Sequence, residues 1–135
     1  TQLTQKVDVI PTSLVLGQSI QESGWGASSI AKRAHNYFGQ KCFGGGCYPG
    51  TRYQSFSSMR AAVTAYIHNL NSNGAYKALR VLRFEARSQD AAPNSIVLAN
   101  GLNAYSTLRG NYISAIKNVI TSLNLQRYDQ GDSIA

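Results

Sequence analysis

The residues that could do chemistry begin with Glu22, which closes an apolar, helix-like run and is followed by Ser-Gly-Trp-Gly. An acid beside an aromatic ring such as that of Trp25 is partly desolvated, and desolvation favours the protonated carboxyl group. A protonated carboxyl can donate to a leaving sugar oxygen, which is the general-acid step of glycoside hydrolysis. Glu22 is therefore the first candidate for a catalytic acid.

Any second catalytic carboxylate has to come from the remaining acidic residues, because the chain holds only six Asp and Glu in total. Glu85 has arginines close to it in the sequence, which favours a surface ion pair. Asp90 falls in a predicted turn. Asp8, Asp129 and Asp132 lie near the chain ends, where we expect the least order.

Two cysteines form the ends of a glycine-rich hexapeptide, Cys42-Phe-Gly-Gly-Gly-Cys47. Such a segment can fold back and bring the sulfurs together, so we expect a disulfide made in an oxidising compartment. Free thiols and half of a metal site are the alternatives. Zinc would need more ligands than His35 and His68 can add, and no nucleotide-binding glycine pattern occurs, so we expect no metal and no cofactor. The two histidines are interpreted as packing or hydrogen-bonding residues.

The composition describes a compact, basic chain of 135 residues with 43% hydrophobic and 14% charged residues. Its net charge of +7 favours an anionic partner such as nucleic acid, a membrane surface or the bacterial cell wall. The basic residues are scattered, which argues against nucleic acid. No stretch approaches the roughly 20 apolar residues of a membrane-spanning helix, so we expect no transmembrane segment.

Hydrophobic periodicity predicts a mainly α-helical chain with one β-like interruption. Glycines are concentrated between Gly39 and Gly50 and residues 51–56 alternate like a strand, so we expect a small hairpin or irregular lobe pinned by the cysteines. We expect one domain over residues 1–135, excised from a longer protein, with extended ends at 1–10 and 126–135. The predicted helices follow Pro11, Ser28, Ser57, Tyr76 and Asn94, and a last one holds Tyr112 to Leu123.

Several runs of the sequence, in this order, resemble a known family. They are Ser-Leu-Val-Leu-Gly-Gln-Ser-Ile-Gln-Glu-Ser-Gly-Trp-Gly at 13–26, Ala-His-Asn-Tyr-Phe-Gly-Gln-Lys-Cys-Phe at 34–43, Tyr-Ile-His-Asn-Leu-Asn at 66–71, Ala-Tyr-Lys-Ala-Leu-Arg at 75–80 and Leu-Asn-Ala-Tyr-Ser at 102–106. A bare Glu-Ser pair would be weak, since lytic transglycosylases carry one too. The ordered series is similar to the peptidoglycan glucosaminidases of glycoside hydrolase family 73, in particular their Bax-like branch, from Pro11 to about Leu125.

The resemblance implies a lysozyme-like helical fold with a substrate groove and a small β-lobe, cutting the glycan strand after N-acetylglucosamine. Glu22 matches the family's general acid, and Tyr105 matches the tyrosine that lines the catalytic centre opposite it. Phe38 would be either an aromatic platform or a packing residue. The substrate-binding residues that we expect on this basis are Trp25, Asn36, Phe38, Gly39 and Gln40.

The chain departs from the family in its second carboxylate, because no Asp or Glu occurs between Gln40 and Arg83. Two hypotheses follow. In the first, which we favour, the substrate's own 2-acetamido group attacks the anomeric carbon and Tyr105 positions that amide. In the second, Glu85 or Asp90 enters the site from a later helix.

The sequence therefore predicts a monomeric peptidoglycan-hydrolysing endo-β-N-acetylglucosaminidase that works in the periplasm or outside the cell. The basic surface would hold it on the anionic wall. Wall remodelling, lysis and delivery as a secreted effector domain are all compatible roles. The alternatives are a lytic transglycosylase, which would leave a 1,6-anhydro end, and a catalytically inactive peptidoglycan-binding module.

Overall fold

The computed structural model of the chain describes residues 6–129 and is mainly helical over that range, as predicted. Its α-helices are α1 (Thr12–Ser23), α2 (Ser29–Ala34), α3 (Met59–Ser72), α4 (Lys77–Ser88), α5 (Ser95–Leu98) and α6 (Gly110–Ser122). Short 3-10 helices occupy Gly74–Tyr76, Ala99–Gly101 and Leu125–Asp129. Within residues 6–129, no helix is long and apolar enough to cross a bilayer.

Short polar side chains start several of these helices, because they can accept hydrogen bonds from the first exposed backbone amides. The Ser28 hydroxyl accepts from the Ala31 amide at 3.1 Å, which begins α2. The Asn94 side chain accepts from the Ile96 amide at 2.9 Å, which begins α5. These two starts confirm the predictions made from local sequence.

The chain divides into two compact units, one formed by Thr1–Gly17 with His68–Ala135 and the other by Gln18–Ile67; we call them the first and second unit. The first unit has an aliphatic core to which α6 contributes its predicted apolar face. Its fully buried residues include Leu14, Leu70, Leu79, Leu98, Leu102 and Ile116.

The helix predicted after Asn94 was expected to hold Ile96, Leu98 and Leu102, but α5 ends at Leu98. The chain passes there into a 3-10 turn that packs directly on the backbone of α4. A β-carbon added to Gly101 would lie 2.4 Å from the Leu79 α-carbon and 2.5 Å from its nitrogen. Only glycine allows this approach, since every other residue would have to displace the α4 backbone.

We expect the substitution Gly101→Ala to lower the free energy of unfolding by about 1–3 kcal/mol, because overpacking against backbone cannot be relieved by a rotamer change. Chemical denaturation measures this change. Gly74→Ala is the matched control: an added β-carbon there meets nothing within 4 Å. A loss of stability no larger for Gly101→Ala than for Gly74→Ala would contradict the packing argument.

A buried arginine ties the start of the described chain to α4. Arg83 is buried, and its guanidinium donates to the Asp8 carbonyl at 3.1 Å and to the Asn71 side-chain oxygen at 2.7 Å. Arg87 forms an ion pair with the Asp8 carboxylate at 2.9 Å. Asp8 is therefore a structural residue, although its place near the chain end predicted little order.

The Asp8 carboxylate should make stability depend on acidity. Burial acts to raise the pKa of Asp8, but hydrogen bonds from Arg87 and the Val9 amide, with the charges of Arg87 and Arg83, outweigh it and lower the pKa below 3.8. A lowered folded-state pKa stabilises the protein above the unfolded-state pKa, and the contribution is lost as the pH falls through the folded-state value.

We therefore expect Asp8→Asn to destabilise the protein by about 0.2–1 kcal/mol at neutral pH, the range of a partly exposed ion pair. The difference between variant and wild type should shrink as the pH falls below the ordinary value of 3.8. Urea unfolding across pH 3 to 7 measures it, with the exposed Asp90→Asn as control. A difference that stays constant across this range would contradict the ion-pair argument.

The described part of the C-terminal segment is helical rather than extended. The Asp129 carboxylate accepts a hydrogen bond from the Ser13 amide at 2.8 Å and another from the Ser13 hydroxyl. The Ser13 amide in the first turn of α1 has no partner within the helix, and Asp129 supplies one. The two residues lie 116 positions apart in the sequence. Of the extended ends predicted at 1–10 and 126–135, residues 1–5 and 130–135, and with them Asp132, lie outside the described residues.

The second unit contains the predicted small β-lobe. Two isolated antiparallel bridges form it, Lys41 with Tyr53 and Cys47 with Gln54. The Cys42 amide donates to the Arg52 carbonyl at 2.9 Å. The two cysteines form the expected disulfide, which closes the glycine-rich loop.

Candidate active site

Glu22 lies in the last turn of α1, where it is half-buried, and a left-handed turn follows it directly. Gly24, Trp25 and Gly26 all have positive φ, at 58°, 62° and 77°. The Ser23 hydroxyl fixes this turn, because it accepts from the Gly26 amide at 2.7 Å and donates to the Ser19 carbonyl. The Glu-Ser-Gly-Trp-Gly sequence thus ends the helix and holds the carboxylate at its end.

Trp25 is 70% exposed, and its expected role in desolvating Glu22 stays a prediction. Its left-handed backbone is rare for a bulky residue, so the surrounding turn must hold it in place. The exposed indole offers an apolar face to a ligand, and a substrate-binding role for Trp25 stays a prediction.

The half-burial of Glu22 includes close contact with the turn after α2. A β-carbon added to Gly39 would lie 2.7 Å from the Glu22 Oε1 atom. Gly39 also has φ of +64°, a conformation that favours glycine. The carboxylate therefore lies against bare backbone at Gly39, and two independent constraints require glycine there.

Asn36 shapes this turn. Its Nδ2 group donates to the Gln40 carbonyl at 2.8 Å and to the Gln54 carbonyl at 2.9 Å, while its Oδ1 atom accepts from the Gln40 amide at 3.0 Å. The residue is 2% exposed. Asn36 therefore joins the Gly39 turn to the β-lobe, and its expected contact with substrate stays a prediction.

Phe38 is a packing residue rather than an aromatic platform. It is 1% exposed and stacks on Tyr66 with ring centroids 4.1 Å apart. The Tyr66 hydroxyl in turn donates to the Gln18 side chain of α1. Gln40, also expected to contact substrate, donates from Nε2 to the Ala62 carbonyl at 3.0 Å. These contacts join α1, the Gly39 turn and α3 around Glu22.

The sequence analysis did not predict that Gln18 and Tyr66 take part in the contacts that join α1, the Gly39 turn and α3. The available signal was an amide side chain, Gln18, one turn before Glu22 on α1. Buried amides need partners, and the Tyr66 hydroxyl on the apolar face of α3 supplies one.

The second unit, which holds Glu22, carries many more positive than negative side chains. Glu22 is the only carboxylate in the second unit, Gln18–Ile67. The same unit carries five cationic side chains, namely Lys32, Arg33, Lys41, Arg52 and Arg60. An anionic polymer would therefore be attracted to the unit that holds the candidate acid.

Tyr105 belongs to the first unit, where its ring contacts the rings of two other tyrosines. It stacks on Tyr112 with centroids 5.6 Å apart and planes 7° apart, and it meets Tyr76 at 5.9 Å. Tyr76 and Tyr112 are buried, whereas Tyr105 is half-buried. Packing thus restricts the orientation of the Tyr105 ring, and its catalytic role stays a prediction.

The other titratable candidates take structural or peripheral positions. His35 ends α2 in a left-handed conformation, and its Nδ1 atom lies 3.1 Å from the Phe56 carbonyl, so the expected hydrogen-bonding role is confirmed. Glu85 and Asp90 are exposed. Among residues 6–129, no group of three His, Cys, Asp or Glu side chains is placed to hold a metal ion.

A helical protein with an acid at a helix end is a common arrangement, and comparison with known proteins identifies the class. Residues 1–125 match the family model Glucosaminidase, described as mannosyl-glycoprotein endo-beta-N-acetylglucosaminidase. Protein bax of Escherichia coli strain K12 is 40% identical over 114 residues, a match that covers 82% of this chain and 42% of bax. The chain therefore belongs to the glucosaminidase family of glycoside hydrolase family 73 type, and it spans less than half the length of this relative.

Proposed function

We propose that this chain is a peptidoglycan hydrolase that cleaves the β-1,4 glycan strand as an endo-β-N-acetylglucosaminidase, with Glu22 as its general acid. One observation carries the proposal: the only carboxylate of the second unit lies against the bare backbone of Gly39, in a chain of the glucosaminidase family. A buried network that includes Asn36, Phe38 and Tyr66 supports that position. A catalytic acid needs this kind of fixed placement.

The proposed reaction uses the substrate's 2-acetamido group in place of a second carboxylate. Glu22 protonates the leaving glycosidic oxygen while the acetamido oxygen attacks the anomeric carbon, so the C1–O bond to the leaving sugar breaks. Water then attacks that carbon, the acetamido group leaves it, and the ionised Glu22 takes the water's proton. Tyr105 would orient the acetamido group, and its restricted ring suits this task.

The proposal predicts that Glu85 and Asp90 take no part in bond cleavage. We expect the double variant Glu85→Gln with Asp90→Asn to turn over peptide-free glycan strands at a rate within a factor of two of wild type. Both side chains are exposed, so the exchange should leave the fold intact. A loss of turnover of about two orders of magnitude, which is usual when a catalytic acid or base is removed, would instead assign the second carboxylate to this pair.

Purified peptidoglycan tests the proposed activity directly. Incubation with the wild-type chain should release new reducing sugars as the suspension clears. A chain that binds the wall and releases no glycan ends would be a binding module. The disulfide and the net charge of +7 support action in an oxidising compartment against an anionic wall, either in the periplasm or outside the cell.

A further inference from the structure

A concave site lies in the first unit, between the end of α4 and the start of α5. Its volume is about 340 Å³, within the range of roughly 300–1,000 Å³ that is usual for small-ligand sites. Most of its wall is aliphatic, from side chains that include Leu82, Ala86, Val97 and Leu98, while Glu85 and Gln89 add polar groups. No lysine or arginine is among the described residues that line it.

The Glu85 carboxylate at this cavity has no cationic partner among residues 6–129. The two nearby arginines stand two positions away on either side, and residues at this spacing do not share a helix face. Arg83 is turned to the Asp8 segment, and Arg87 is paired with the Asp8 carboxylate. The surface ion pair expected for Glu85 is therefore absent in this range, and its negative charge is available to a ligand.

The chemistry of the wall defines the ligand. A carboxylate beside methyl and isobutyl groups complements a primary ammonium carried on a short aliphatic chain. A ligand carboxylate placed inside this cavity would meet the Glu85 charge with no cation in the described wall to offset it. The amide of Gln89 adds a donor and an acceptor that suit a peptide group.

We propose that this cavity binds the peptide stem of peptidoglycan, with the side-chain amine of the stem's diamino acid against Glu85 and an alanine methyl against the aliphatic wall. This inference rests on the proposed function, because it assigns a subsite for another part of the same substrate. Stem peptides combine alanine methyl groups with a diamino acid, which matches both features of the cavity. Glu85 then acts in substrate binding and takes no part in bond cleavage.

Binding of a free stem peptide tests the site without any catalysis. The probe is the tetrapeptide L-Ala-γ-D-Glu-L-Lys-D-Ala, titrated calorimetrically against the wild-type chain. We expect Glu85→Gln and acetylation of the lysine amine each to weaken binding about two- to fivefold, the range of an exposed ion pair. The cavity-filling Ala86→Leu should weaken binding at least about tenfold, because it occupies the space of the ligand. Asp90→Asn removes the same charge outside the cavity and should bind as wild type does. Equal binding by Glu85→Gln and wild type, or no binding by wild type, would overturn the inference.

Kinetics on two substrates separates this inference from the proposed function. Soluble glycan strands are prepared with their stems and after an amidase has removed them. The KM for bare strands should exceed the KM for stem-bearing strands at least fivefold in wild type, and the ratio should approach one in Glu85→Gln. A ratio near one in wild type would refute the stem site alone. Failure to cleave either strand would refute the proposed function, while the tetrapeptide titration would still report on the cavity.

Discussion

Replacement of Glu22 by Gln is expected to lower the release of reducing ends from peptidoglycan at least about 100-fold, within the usual range for loss of a general acid. Glutamine has nearly the same shape as glutamate but cannot donate an acidic proton to the leaving oxygen. The contact with Gly39 should survive, so the folded structure and wall binding should be retained. Initial rates of reducing-sugar release at saturating substrate measure the effect.

Thermal unfolding followed by circular dichroism is the control for this experiment, since the variant must melt close to wild type for the rate to be informative. Gln21→Asn provides a second control, because this neighbouring side chain is exposed. An active Glu22→Gln variant with more than a third of the wild-type rate would contradict the assignment of Glu22 as the acid.

Replacement of Gly39 by Ala should also reduce activity strongly, by at least tenfold, although residue 39 bears no reactive group. The added methyl would lie 2.7 Å from the Glu22 carboxylate oxygen and would force that side chain to move. Small displacements of a catalytic group cost large factors in rate. The measurement is the turnover rate of the variant on purified glycan strands.

Gly50→Ala is the matched control for this substitution. Gly50 also has a left-handed backbone, with φ of +78°, but an added β-carbon there meets nothing within 4 Å. Both variants therefore carry the backbone strain of about 1–2 kcal/mol, and only Gly39→Ala adds the clash with Glu22. Equal activity in the two variants would show that the Gly39 contact does not position the acid.

Local sequence signals predicted the parts of the fold that depend on neighbouring residues. Ser28 and Asn94 begin helices because their side chains accept hydrogen bonds from amides two or three positions ahead. The disulfide was predictable because the glycines between Cys42 and Cys47 allow a tight loop. The position of Glu22 at a helix end followed from the glycines just after it.

Contacts between distant parts of the sequence were not predictable in this way. Asp129 meets Ser13 across 116 positions, and Arg83 reaches Asp8 across 75, so neither pair leaves a periodic signal. Gly101 packs against the backbone of Leu79, which lies in another helix. Nothing in the local sequence therefore distinguishes these residues from surface positions.

In the candidate site, too, features set by neighbouring residues were predictable and features set by distant contacts were not. The position of Glu22 was predicted, but the distinction between a residue that contacts substrate and one that supports the site was not. Phe38 is equally apolar in either role, and only its stacking on Tyr66 decides for packing. Trp25 was expected to shield the acid, and its exposure depends on a left-handed turn that the sequence does not specify by itself.

Mass spectrometry of the muropeptides released from purified peptidoglycan tests the central claim most directly. We expect fragments that end in a reducing N-acetylglucosamine from the wild-type chain, and at least about 100-fold slower release of them by Glu22→Gln. Fragments that end in a 1,6-anhydro sugar would identify a lytic transglycosylase. Release of the same reducing ends by Glu22→Gln at a rate close to that of wild type would contradict the claim that Glu22 is the acid.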